Sequence, residues 1–230
     1  MNVIPIIVLS LLLATSAAAQ TSDAPPQVVV TGEGVVKATP DRAWLTIGAE
    51  TRSKTSKDAQ QRNADAMSAV IARIATFGIP KEAIKTTAID LQLEFDYANG
   101  RQSPRGYVAR NTVEVRVDDL SKVGEVLDAV VASGATTIHG LRFDVKQRDQ
   151  LEALALQGAV DNASFKAKAV TAAAGRAFDR ILRIEELGSI GEPRPMMMRE
   201  VAMARADATT PVAAGELEIR AQVRLTAAMK

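Results

Sequence analysis

Ile89-Asp90-Leu91-Gln92-Leu93-Glu94-Phe95-Asp96-Tyr97 alternates without a break between apolar and polar side chains. Successive side chains on a strand point to opposite faces, so this pattern predicts a strand with one dry face and one wet face. A second alternating stretch follows, with Tyr107, Ala109, Val113, Val115 and Val117 on one face and Arg110, Glu114 and Arg116 opposite. Asn99-Gly100 lies between the two, the dipeptide of a tight turn. Together they predict a hairpin with a mobile tip over about 98–105.

On the N-terminal side, Thr55 or Ser56 can cap a helix, and Thr55 to Asp58 has capping-box spacing with Asp in place of Glu. Met67, Val70, Ile71 and Ile74 recur at helical spacing, and Gly78 with Pro80 ends the run. Before that helix, Arg42 to Thr51 reads as a strand with Leu45, Ile47 and Ala49 on one face. After the hairpin, Asp118 or Asp119 caps a helix carrying Leu120, Val123, Leu127 and Val130, and Thr137 to Lys146 is a strand. Residues 42–146 therefore read β-α-β-β-α-β, a split arrangement with both helices on one face of an antiparallel sheet.

The remainder, 27–41 and 147–230, supplies a valine-rich strand from Gln27 to Lys37, a long alanine-rich helix over about 147–174 and two closing strands. The helix carries an apolar stripe of Leu156, Val160, Ala163, Ala167, Val170 and Ala174, small enough to sit close to a sheet. The closing strands, Arg180 to Leu187 and Glu216 to Ala227, are separated by a loop over 188–215, long enough to be either functional or disordered. These added elements must form a second layer or subdomain. The fold class is α+β.

Composition removes many activities. The 230 residues hold 28 basic and 27 acidic side chains, a net charge of +1 that gives no electrostatic case for nucleic acid. With no cysteine there are no disulfides, thiolate metal sites or cysteine nucleophiles, and a single histidine excludes a multi-histidine metal centre within one chain. At the N-terminus, Val3 to Leu13 is apolar apart from Ser10 and leads into Ala17-Ala18-Ala19. This reads as a secretory signal peptide, 1–19, cut after Ala19 and followed by a disordered leader, 20–26. No later stretch is long and apolar enough for a transmembrane helix. The expected product is exported, periplasmic and held together by packing alone.

Val30-Thr31-Gly32-Glu33-Gly34 with Thr39-Pro40-Asp41 resembles the opening of the SIMPL domain family, formerly a domain of unknown function. The resemblance continues through Gly78-Ile79, Ile84, Phe95-Asp96-Tyr97, Gly106-Tyr107, Asn111-Thr112-Val113 and Leu127-Asp128-Ala129. It resumes at Ile138-His139-Gly140-Leu141-Arg142-Phe143, where members more often carry Asn-Gly, and runs from Asn162-Ala163 through Lys168-Ala169 to Gly175. It covers 27–230 as one SIMPL-like domain. The resemblance implies an exported periplasmic or envelope-associated protein that tends to self-associate, with some members linked to oxidative-stress defence and some known as surface immunogens. It implies no catalytic residues.

Each candidate for chemistry has a plainer structural explanation. Gly32-Glu33-Gly34 follows a strand, but a dinucleotide site needs a helix opening there to meet the phosphates. Strand glycines that admit a neighbouring backbone account for it, and no cofactor is expected. His139, in phase with Leu141, Phe143 and Val145, is a candidate general base or pH sensor, and is expected at the edge of the core. Glu94, Asp96 and Glu114 could bind a hard cation or act as acid and base, but Arg110 and Arg116 on that face favour cross-strand ion pairs. Asp41, Trp44 and Tyr107 need only turn or packing roles, and the Asn162-Ala163-Ser164 sequon falls within a helical pattern. Met196-Met197-Met198 with Met203 is the unusual local feature. Thioethers bind Cu(I) and are reversibly oxidised, and methionine also suits subunit contacts. No metal site is assigned, and that cluster is only a candidate.

The expectation is thus a non-enzymatic exported protein that forms a homo-oligomer and supports envelope integrity or oxidative-stress tolerance, with possible peripheral envelope association and no nucleic-acid partner. The alternative is a periplasmic module that binds a small molecule or copper through the Met-rich loop.

Overall fold

A computed structural model describes residues 26–98, 100–188, 195–196 and 210–230. The expected signal peptide, all of the leader but Pro26, and most of the 188–215 loop lie outside the described residues.

The strands and helices run β1 (Gln27–Ala38), β2 (Arg42–Ser53), α1 (Ser56–Ala75), β3 (Ile84–Ala98), β4 (Arg101–Val117), α2 (Val123–Ala132), β5 (Thr137–Asp144), α3 (Arg148–Ala173), β6 (Phe178–Glu186), β7 (Pro195–Met196) and β8 (Glu216–Met229). They build two antiparallel sheets. One has the order β3-β4-β2-β5, and the other has β1-β8-β6 with β7 beside β8. The first is the split β-α-β-β-α-β unit, and the second is the added part, so the chain is α+β as its patterning predicts.

In the first sheet, Leu45 and Ile47 of β2 and Val113 and Val115 of β4 are fully buried beneath α1 and α2. Met67, Val70 and Ile74 of α1, with Val123, Val126 and Val130 of α2, supply the other side of that core. Thr55 caps α1 by accepting from the Asp58 amide at 3.3 Å. Asn63 is the buried polar residue of α1, and its Nδ2 donates to the carbonyls of Ala49 (2.7 Å) and Ala109 (3.1 Å). That side chain satisfies two buried acceptors on the two central strands at once.

The β3–β4 hairpin is more regular than its sequence predicts. Pairing continues to Ala98 opposite Arg101, so most of the expected mobile tip is strand. Gly100, at φ 73°, closes the turn in a conformation that glycine reaches without steric cost. β4 pairs with β2 only as far as Tyr107 opposite Ser53. Beyond that point the hairpin continues as a two-stranded arm.

In the second sheet, α3 lies on β1 and β8. Its buried stripe is Ala155, Ala159, Ala163, Ala167 and Thr171, which keeps strict four-residue steps where the predicted stripe alternates four and three, so the two part by one residue toward either end. Ala163 and Ala167 belong to both stripes, whereas Leu156 and Val160 are half-buried and Val170 is 49% exposed. The reason is closeness. A Cβ on Gly34 would lie 1.9 Å from the Ala155 carbonyl oxygen, and one on Gly32 would lie 2.1 Å from that of Ala159. The helix backbone rests almost directly on the strand, and only the smallest side chains fit between them. Around the free edge of β1, the Glu33 amide donates to Asn162 Oδ1 (3.2 Å) and Lys166 Nζ to the Thr31 carbonyl (2.9 Å). Side chains of α3 thus cover part of an edge that would otherwise be open to another strand.

Candidate functional site

The acidic candidates do not converge. Glu94 is held by Arg52, whose Nε donates to both carboxylate oxygens at 3.1 Å. That bond keeps Glu94 below the usual carboxylate range. Asp96 lies 3.7 Å from Arg105. Glu114 has no ion pair among the described residues and stands in register with Thr46 and Lys85. The expected cross-strand pairing is present, with other partners. Arg110 binds Glu50 (2.6 Å) and Asp90 (3.5 Å), and Arg116 faces Asp118 at 3.3 Å. Apart from Glu114, the candidate charges on this polar sheet face are paired.

His139 is not at the core's edge. Register slips between Gly140 opposite Thr46 and Ile138 opposite Ile47, which leaves His139 unpaired at a bulge. The extra residue breaks the phase with Leu141 and Phe143, and the imidazole is exposed, with Nε2 3.3 Å from Thr137 Oγ1. A Cβ on Gly48 would meet Nε2 at 2.9 Å, so the ring lies over the small residue of β2.

Gly32 and Gly34 serve the close approach of α3. Asn162 bonds the β1 edge from within that helix. The side chains of Met196, Met197, Met198 and Met203 lie outside the described residues. Among the described residues, no three histidine or acidic side chains are grouped to hold a metal ion, and no helix is long and apolar enough to cross a membrane.

Two features have no counterpart in the sequence reading. The first is a clamp where the chain passes twice between the two sheets, at 38–42 and 144–148. Asp144 accepts from Trp44 Nε1 (3.3 Å), its neighbour's Val145 amide (2.9 Å), Arg142 (3.3 Å) and Arg148 (3.4 Å). The Asp41 amide donates to the Asp144 carbonyl (3.1 Å), and Asp41 Oδ1 accepts from the Lys146 amide (2.7 Å). Burial opposes ionisation of Asp144, but these bonds and the two guanidinium charges outweigh it and hold the carboxyl below its usual range. Asp41 and Trp44 do have turn and packing roles, and the residue that joins them is Asp144.

The second is an uncovered face. α1 lies chiefly over β4 and β2 and only grazes β3 at the sheet edge. The apolar row of β3 remains in solvent, with Ile89 72%, Leu91 41%, Leu93 39%, Phe95 41% and Tyr97 78% exposed. At the root of the arm, Arg52, Ser53, Lys54, Arg62, Glu94, Arg105, Gly106 and Tyr107 line an open cleft of about 380 Å³. Its guanidiniums are matched by Glu50, Glu94, Asp58 and Asp96, so it offers no excess charge to a ligand.

The SIMPL family, described as a protein of unknown function (DUF541), matches residues 28–227. The 26 kDa periplasmic immunogenic protein of Brucella abortus (strain S19) is 30% identical over 219 residues, covering 92% of this chain and 88% of that protein. The protein of the same description from Brucella melitensis biotype 1 gives the same identity and coverage. The uncharacterized protein YggE of Escherichia coli (strain K12) is 29% identical over 209 residues, covering 90% of this chain and 83% of that protein.

Proposed function

From a chain that belongs to the SIMPL family, with the match spanning both sheets, we propose an exported periplasmic protein that works by self-association and not by catalysis. Its role is to support envelope integrity or tolerance of oxidative stress. The family match and the printed description of the Brucella relatives as periplasmic support the location.

The uncovered row on β3 carries the assembly reading. Ile89, Leu91 and Leu93 lie side by side on an edge strand, and an exposed contiguous apolar strip favours burial against another surface. The polar side chains behind the row are already neutralised by Arg52, Arg110 and Arg105. Covering the apolar face therefore leaves no charge unpaired. A second copy is the partner that is always present at matching concentration.

Light scattering on residues 20–230 at micromolar concentration tests this. The mass should exceed that of one chain and fall to it in the Ile89→Lys, Leu91→Lys double variant, with the unfolding midpoint unchanged. A wild-type protein that remains monomeric would sink the reading. For the physiological role, a strain lacking the gene should survive peroxide or detergent less well, and complementation with the double variant should fail to restore it.

A further inference from the structure

We propose that a cavity between the turn after α1 and the segment after β4 binds a small monocarboxylate with a short apolar tail. The site shares no residue with the β3 row and needs no second copy, so it stands or falls apart from self-association. One wall is the 77–80 turn, where Phe77, Ile79 and Pro80 present an apolar surface. The other wall is charged, with Arg116 near the end of β4 and Lys122 just ahead of α2. The volume of about 210 Å³ corresponds to roughly seven water-sized volumes of ~30 Å³ each, which suits a ligand of about that many non-hydrogen atoms.

Arg116 is the reason to expect an anion. Its Nε is shut off from solvent and has no hydrogen-bond partner among the described residues. Asp118 Oδ2 comes within 3.3 Å of that nitrogen but out of line with its N–H. Asp118 Oδ1 accepts instead from Arg42 Nε at 2.7 Å. Lys146 lies on the same residue, its Nζ donating to the Asp118 carbonyl at 3.2 Å. Burial opposes ionisation of Asp118, and the Arg42 bond with the charges of Arg42, Arg116 and Lys146 outweighs it. One carboxylate therefore serves three cations, and its hydrogen bond goes to Arg42. Glu114, two residues back on the same strand face, stands opposite Lys85 and makes no ion pair with Arg116 among the described residues.

A buried guanidinium N–H without an acceptor is costly, and an incoming carboxylate relieves that cost by offering two oxygens to the arginine fork. The Arg116 side chain is 31% exposed, and a small turn of it brings the fork to the cavity. Lys122 adds a second charge at the rim. Its neighbour Asp119 is 3.5 Å away, and Asp119 Oδ1 is taken by the amide and hydroxyl of Ser121 at 3.2 and 2.6 Å. The apolar wall follows the C-terminus of α1, whose carbonyls carry partial negative charge and repel an anion. The carboxylate is thus directed to Arg116 and Lys122, and the tail to Phe77, Ile79 and Pro80.

Saturation-transfer NMR on residues 20–230 with 3-methylbutanoate at neutral pH tests the assignment, and its signal survives whatever the size of the assembly. For so small a ligand the expected dissociation constant is on the order of 1 mM. The neutral 3-methylbutan-1-ol, of similar shape, should bind about tenfold or more weakly, because it brings Arg116 no charged acceptor. Arg116→Gln should weaken carboxylate binding by about tenfold or more, and Lys122→Gln, at the exposed rim, by about two- to fivefold. Thermal unfolding checks that both variants are folded. A signal that does not saturate below about 20 mM, equal binding of the alcohol, or a folded Arg116→Gln protein that binds as wild type does would overturn the proposal. If Arg116→Gln does not fold, Lys122→Gln decides, and undiminished binding by that variant overturns it as well.

Discussion

Replacing Gly34 by alanine asks whether α3 truly rests on the backbone of β1. The added Cβ would lie 1.9 Å from the Ala155 carbonyl oxygen and 2.5 Å from the Ala159 amide nitrogen. Ordinary contacts begin near 3.4 Å, so helix and strand must separate by more than an ångström. Neither opposing atom belongs to a side chain that can rotate away. Overpacking a filled interior costs about 1–3 kcal/mol and sometimes more, and backbone on both sides places this case at the upper end. At roughly 2–4 °C per kcal/mol for a protein of this size, the unfolding midpoint should fall by about 6–12 °C. Gly158 is the control from the other side of the same interface. Its added Cβ would meet only the Gly34 Cα, at 3.5 Å, which is ordinary contact. Alanine in a helix interior is favoured over glycine by about 0.8–1.0 kcal/mol, so Gly158→Ala should raise the midpoint by about 2–4 °C. Circular dichroism during thermal and urea unfolding reads both variants. A Gly34→Ala protein as stable as wild type, or a destabilised Gly158→Ala protein, would refute the close helix–strand contact.

Two further substitutions probe the polar interior. Asn63→Ala leaves the buried carbonyls of Ala49 and Ala109 without their donor and should cost about 1–3 kcal/mol in urea unfolding; no loss would mean that the strands satisfy those oxygens another way. Asp144 is depressed in the folded state, so its ionised form adds stability above the unfolded carboxyl value, about 3.9, and that contribution disappears as pH falls through the lower folded value. Midpoints measured between about pH 2 and pH 7 should therefore drop in acid for wild type and drop less for Asp144→Asn, which should be the less stable protein at neutral pH. Parallel curves would show that the clamp does not depend on the charge.

What could be read from the chain, and what could not, follows from the range of each signal. The alternation in 89–97 and 107–117 is local, and it placed β3, β4 and their apolar faces because strand geometry turns residue type directly into direction. The Thr55 cap and the stop at Gly78 are equally local. The ends of the α3 stripe came out one residue off, while Ala163 and Ala167 were right, because the helix is rich in alanine and its faces differ little in hydrophobicity. The deciding residues are Gly32 and Gly34, more than a hundred positions earlier. His139 was misplaced by a single extra residue in β5, since one bulge inverts the face of what lies beyond it. Asp144 gave no warning at all. A carboxylate between arginines reads as a surface ion pair until the two crossings of the chain bring Trp44, Asp41 and Lys146 around it. The uncovered row on β3 was predicted as a dry face, and here the local reading meets its limit. Alternation shows that a face is apolar and is silent on what covers it. Two helices do not span four strands and an arm, so the apolar row at 89–97 is left exposed by the fold itself.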